Sequence, residues 1–163
     1  MSSPGVAARL LRTLATTIRL VERTESEEWL AMRAALFSDS DTAELRDEID
    51  RYFEGTALEV AVFIAWDESS RPLGMIELAL RPYAEGCRSS PVPYLEAWYV
   101  IPEARRKGVG TLLIDQAVKW AKEHGHTEIA SDSLLDNHVS YKSHLNNGFE
   151  EVERAIHYRK LLD

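Results

Sequence analysis

Two nearly unbroken apolar runs, Leu58 to Trp66 and Leu73 to Leu80, flank the polar turn Asp67-Glu-Ser-Ser-Arg-Pro72, a pattern that predicts an antiparallel hairpin. A shorter run from Ile18 to Glu22 predicts a strand ahead of it. Between the two, Trp29, Met32, Ala35 and Leu36 recur at helical spacing and predict an amphipathic helix that reaches Phe37, opened by a capping box of Thr24 with Glu27. Ser38-Asp-Ser-Asp41 breaks that helix, and an acid-rich helix follows from Thr42 to Phe53. Arg81 to Pro93, with two prolines, Gly86 and Tyr83, reads as a loop. The chain from Tyr94 is then a nearly all-apolar strand stopped by Pro102. Val109, Leu112, Leu113, Ala117, Trp120 and Ala121 line the buried face of a helix running from Thr111 to His124, which Gly125 ends. Asn137 opens a further helix that closes at Asn147-Gly148-Phe149, and a last pair of strands follows. The expected class is α+β, a mixed and mostly antiparallel sheet with helices on both faces.

The first 17 residues stand apart from this alternation. Ala7, Leu10, Leu11 and Leu14 are helix-spaced with Arg9 and Arg12 opposite, which predicts a short amphipathic helix packing on the domain or on a partner. The arginines interrupt any secretory apolar run. The organisation expected is an extension over residues 1–17 and one domain over 18–163.

Composition narrows the classes of function. The formal net charge is −8, from 19 Lys and Arg against 27 Asp and Glu, so a nucleic-acid surface is disfavoured and the overall field favours a cationic ligand. One cysteine, Cys87, permits no internal disulfide, and no Cys/His cluster has the spacing of a metal site. No apolar run approaches the roughly 18 residues a membrane helix needs. The cytoplasm is the default location.

Two places carry candidate chemistry. In Arg105-Arg-Lys-Gly-Val-Gly110, leading into Thr111, the first backbone N–H groups of the following helix lack intrahelical acceptors and lie at the positive end of its dipole. Gly108 and Gly110 carry no Cβ, and Arg105, Arg106 and Lys107 add positive charge, so a phosphate fits there. A tight βα turn with solvated arginines would give the same string. The second place is Glu96, a lone carboxylate in the strand Leu95-Glu-Ala-Trp-Tyr-Val-Ile101, where burial demands compensation. An internal ion pair with Arg81 would supply it, and so would the amine of a cationic substrate. A carboxylate in that place can both grip such an ammonium and accept its proton.

The order strand, Arg-x-x-Gly-x-Gly, helix, strand, Asn-led helix, Gly-Phe, strand resembles the GNAT acetyltransferase superfamily from about Ile18 onward. Within it, Leu36-Phe37-Ser-Asp39, Tyr83-Ala-Glu-Gly86, Ser89-Ser-Pro-Val92, Leu95-Glu96, Glu128 to Asn137, His144, Gly148 to Arg154 and Tyr158-Arg-Lys look like the aminoglycoside 6′-N-acetyltransferases of type I. The resemblance implies the GNAT acyltransferase fold and acetyl-CoA as co-substrate, without a metal. It sets acetyl-CoA against Trp98, Tyr99 and Val100, the loop Arg105, Arg106, Lys107, Gly108, Val109, Gly110 and Thr111, and Asn137. A bulge at Trp98 to Val100 would free backbone N–H groups for the thioester and its oxyanion.

The same resemblance sets the aminoglycoside against Phe37, Tyr83, Glu96, Asp132 and Glu153, with phenylalanine where that family usually has tryptophan. Glu96 would be the base, acting through water. The acid would be Tyr158 or His144, the latter standing where many GNAT chains carry tyrosine; departure of the thiolate without an acid is the third course. The family implies homodimers. The alternatives are a polyamine or peptide amine as acceptor, or a coenzyme A binding module without turnover.

Overall fold

The computed structural model describes residues 16–162, so the helix expected around Ala7 to Leu14 lies outside the described residues. In chain order the elements are β1 (Thr17–Leu20), α1 (Ser26–Leu36), α2 (Thr42–Glu54), β2 (Glu59–Trp66), β3 (Pro72–Arg81), β4 (Val92–Val100), α3 (Val109–Glu123), β5 (Ala130–Ser131) and α4 (His138–Asn146). The strands form one sheet in sequence order, antiparallel from β1 to β4 and parallel between β4 and β5. No helix among the described residues is long and apolar enough to cross a membrane.

Alternation along the strands divides the core in two. Ala61, Phe63, Ala65, Ile76 and Leu78 pack with Leu113, Ile114 and Ala117 of α3 on one face. Val62, Ile64, Trp66 and Met75 pack with Trp29, Met32, Leu45 and Ile49 of α1 and α2 on the other. Helices therefore cover both faces, as the sequence pattern requires. Gly125 closes α3 at φ 81°, with His126 N–H donating to Ala121 O and Gly125 N–H to Lys122 O, the paired bonds of a Schellman ending.

Three expectations are corrected. The reciprocal cap ahead of α1 centres on Glu22 and Glu25, not Thr24 and Glu27: a single turn of 3-10 helix, Arg23–Glu25, precedes α1, and Glu25 accepts from the Glu22 N–H at 2.8 Å while also pairing with Arg19. The bulge of β4 lies at Glu96 rather than at Trp98 to Val100, because Glu77 pairs with Ala97 and Leu78 with Leu95, leaving Glu96 without a partner. That extra residue shifts the alternation, so Leu95 joins the α3 face while Ala97 joins the α1/α2 face. Finally, no strand follows α4 among the described residues; 150–162 runs exposed along the surface. The apolar side chains there signal a strand, but β5 contributes only two paired residues and offers no edge long enough to receive one.

Candidate active site

The short β5 is itself informative. Pairing between β4 and β5 is limited to Tyr94 with Ala130 and Leu95 with Ser131, so β4 continues from Glu96 to Val100 with its β5-side edge open. An open strand edge presents backbone N–H and C=O groups to a ligand. At its far end Ile101 leads into the turn Pro102–Ala104, and Arg105 folds back to donate from Nε to Val100 O at 2.9 Å.

Beyond that turn, Arg106 and Gly108 both adopt left-handed backbone, φ 60° and 86°, and curl the loop into the start of α3. Gly108 is the N-cap and brings no side-chain cap, so the Val109, Gly110 and Thr111 N–H groups have no acceptor within the helix. A Cβ at Gly108 would meet no atom within 4 Å, which is the open approach a phosphate requires. Gly110 is needed for another reason, since a Cβ there would stand 3.1 Å from Cζ2 of Trp98. The two glycines of the motif thus divide, one facing solvent above the helix end and one making room for an indole.

Trp98 links this loop to α4. Its ring meets His144 edge-on at 5.3 Å, and His144 meets Phe149 at 5.2 Å. The His144 Nδ1 lies 2.8 Å from Ser140 O, an oxygen that can only accept, so Nδ1 donates there, while Nε2 lies 2.9 Å from the Ser131 hydroxyl. Both ring nitrogens are engaged. The Trp98 indole N–H is buried with no acceptor. Asn137 serves as the N-cap of α4, its Oδ1 accepting from Ser140 N–H at 3.0 Å. Tyr99 packs toward α1 in the same cluster as Phe37, with the Arg105 guanidinium 5.8 Å from its ring.

Glu96 is bound by Arg81. The guanidinium spans both carboxylate oxygens, Nε to Oε1 at 2.8 Å and Nη2 to Oε2 at 2.7 Å, and lies 3.5 Å above the Tyr94 ring. The Tyr94 hydroxyl in turn bonds Asp132, and burial together with that negative charge pushes it up to about 12. Glu96, Arg81, Tyr94 and Asp132 form one cluster beside the bulge. Tyr83 stands exposed on the adjoining loop, which Glu128 anchors by accepting from the Arg88 N–H at 2.9 Å and the Ser89 N–H at 2.6 Å. Phe37 is only half-exposed, held in the core under Arg33. Glu153 and Tyr158 are on the exposed terminal segment, Tyr158 at 89% exposure, and Val152 just before Glu153 lies against Gly86 of the Tyr83 loop.

One charged residue escaped the sequence reading although its signal was the same as that of Glu96. Glu77 is a lone acid in the apolar strand Leu73 to Leu80, 1% exposed, accepting from Trp29 Nε1 at 2.7 Å with Arg33 Nε 3.4 Å away. Burial pushes its carboxyl up to about 7, against the opposing pull of Arg33 and the Trp29 bond.

Comparison with known proteins adds to this geometry. The model of the Acetyltransferase (GNAT) family matches residues 21–149. An aminoglycoside N(6′)-acetyltransferase type 1 of Klebsiella aerogenes is 45% identical over 146 residues, 89% of this chain and 96% of that protein. Another of that name, from Acinetobacter haemolyticus, is 36% identical over 90% of this chain and 99% of its own length. Among solved structures, AAC(6′)-Iy in complex with the bisubstrate analogue CoA-S-monomethyl-acetylneamine superimposes with a TM-score of 0.83 at 34% identity, covering 90% of this chain and 99% of that one.

Proposed function

Since this chain belongs to the GNAT acetyltransferase family, we propose that it moves the acetyl group of acetyl-CoA onto an amine of an aminoglycoside, the 6′ amine by likeness to its relatives. The observation that carries this reading is the open β4 edge, running from the uncapped end of α3 to the carboxylate of Glu96. A thioester donor lies along such an edge, with its diphosphate on the Val109 to Thr111 N–H groups and its thioester beside the bulge. The residues present suit that co-substrate: Gly108 faces open space, and Arg106 and Lys107 stand exposed next to it.

In this scheme the acceptor's ammonium enters the Glu96 and Asp132 cluster, surrenders its proton to Glu96 through water, and attacks the thioester directly in a ternary complex. Tyr83, Phe37 and Glu153 would line the rest of the acceptor. His144, beside Trp98, and Tyr158, on the terminal segment, are the two candidates for protonating the departing thiolate. Acetylation removes a cation that the drug uses on RNA phosphates, which is a route to resistance. Such an enzyme would act in the cytoplasm. A homodimer is supported by Val152, Ile156, Leu161 and Leu162, exposed apolar side chains that a second copy would cover.

The test is release of free thiol from acetyl-CoA by the full chain with kanamycin, a polyamine or a peptide N-terminus as acceptor. Release with kanamycin well above the other two supports the reading. Release with the polyamine or peptide alone reassigns the acceptor, and release with none removes the activity.

A further inference from the structure

The bidentate hold of Arg81 on Glu96 is at odds with a carboxylate waiting for an amine. The guanidinium occupies one lone pair on each oxygen in a fork geometry that fixes the carboxylate plane. We propose that Arg81 is a resident counter-cation of the acceptor site, exchanged for the substrate's ammonium on binding, and so a specificity-determining residue. The inference rests on the acetyltransferase reading above.

Three features favour exchange over a fixed scaffold. First, the pair is not sealed: the Arg81 side chain is 41% exposed and Glu96 25%, so a released guanidinium goes to water. Second, Arg81 has a second resting place. It already lies on the Tyr94 ring, and the negative charge of Asp132 acts on it as well, so it is held nearby after Glu96 lets go. Third, the two cations compete. An ammonium added to Glu96 while Arg81 stays would face a like charge across one carboxylate. Exchange removes that repulsion, and a half-buried Glu96 is never left without a partner.

The exchange also selects. A ligand with one amine must displace Arg81 with that amine alone. A polycation brings further ammonium groups to Asp132 and the surrounding acids, and their combined hold offsets the displacement. Arg81 therefore raises the threshold for small monoamines while admitting acceptors with several positive groups.

A double-mutant cycle tests this by titrating kanamycin into CoA-loaded full-length protein in four forms: wild type, Arg81→Ala, Glu96→Gln and the double variant. Exchange predicts that Arg81→Ala binds kanamycin on the order of tenfold tighter, and that removing Arg81 in the Glu96→Gln background changes the affinity by less than about twofold. Arg81→Lys, which keeps the charge but loses the fork, falls between wild type and Arg81→Ala. Equal or weaker binding by folded Arg81→Ala overturns the proposal and makes Arg81 a scaffold. An equal gain in both backgrounds also overturns it, since that is a field effect without competition at Glu96. If Arg81→Ala does not fold, the Arg81→Lys titration decides in its place, and wild-type affinity or weaker for that variant overturns the proposal. Wild-type protein that binds no kanamycin sinks the acceptor assignment together with the exchange, whereas wild type that binds while Arg81→Ala fails to tighten sinks the exchange alone.

Discussion

Gly110 lies against the indole of Trp98, at a distance where a methyl group would come 3.1 Å from Cζ2 and 3.5 Å from Nε1. The contact couples the first turn of α3 to the open edge of β4, the two surfaces along which the donor is proposed to lie. Gly110→Ala pushes the indole outward by a few tenths of an ångström. The expected result is a KM for acetyl-CoA raised severalfold with the aminoglycoside KM unchanged. Gly108→Ala meets no neighbour but must adopt φ 86°, so its expected effect is a loss of stability of about 1 kcal/mol, read from a thermal melt.

Glu77 gives a dependence of stability on pH. Folding raises its carboxyl from 4.5 to about 7, so the folded chain binds that proton more tightly than the unfolded chain. The contribution is fully present below about 4.5 and is lost as pH rises through about 7. In Glu77→Gln the dependence disappears while Arg33 keeps its bond to Glu48 at 2.6 Å. Melting temperatures of the two proteins across that range should diverge as pH rises, the variant gaining relative to wild type. A constant difference would mean that Glu77 does not titrate there.

Glu128 is expected to act on the acceptor through the loop it anchors. Its carboxylate takes up the Arg88 and Ser89 N–H groups, and the Ser89 bonds hold it below the usual carboxylate range. Glu128→Ala frees those amides and loosens the segment carrying Tyr83. Steady-state kinetics should show a higher aminoglycoside KM, with the acetyl-CoA KM little changed.

The two candidate acids are separable by paired substitutions. His144→Phe keeps the ring between Trp98 and Phe149 but removes both nitrogen contacts, whereas Tyr158→Phe alters one exposed hydroxyl. A fall in kcat on the order of tenfold or more is expected for the first and none for the second. The reverse order would assign proton delivery to the terminal segment.

What could be read from the sequence was what a single element decides by itself. The hairpin of β2 and β3 follows from two apolar runs around a polar turn, and the α3 ending follows from Gly125. The Arg81 partner of Glu96 was nameable because a lone acid in an apolar strand must be compensated; the same argument applied to Glu77 would have called for a buried partner, but Trp29 and Arg33 take that place only through the packing of α1 on β3. The bulge at Glu96 was not legible where it lies. It depends on the register of β3 against β4, and residue types inside β4 do not encode that offset. The absent terminal strands failed for a related reason: the run from Val152 to Leu162 has the apolar content of a strand, but pairing needs an edge, which sequence pattern cannot supply. The different roles of Gly108 and Gly110 likewise emerge only once Trp98 is seen beneath one of them.

The most direct measurement is a crystal structure of the full chain with coenzyme A and kanamycin bound together. The diphosphate is expected within hydrogen-bond distance of the Val109 to Thr111 N–H groups, the pantetheine along β4 from Val100 toward Glu96, and an amine of the drug at the Glu96 carboxylate. A diphosphate bound away from Gly108, or a drug bound with no amine near Glu96, would contradict this placement.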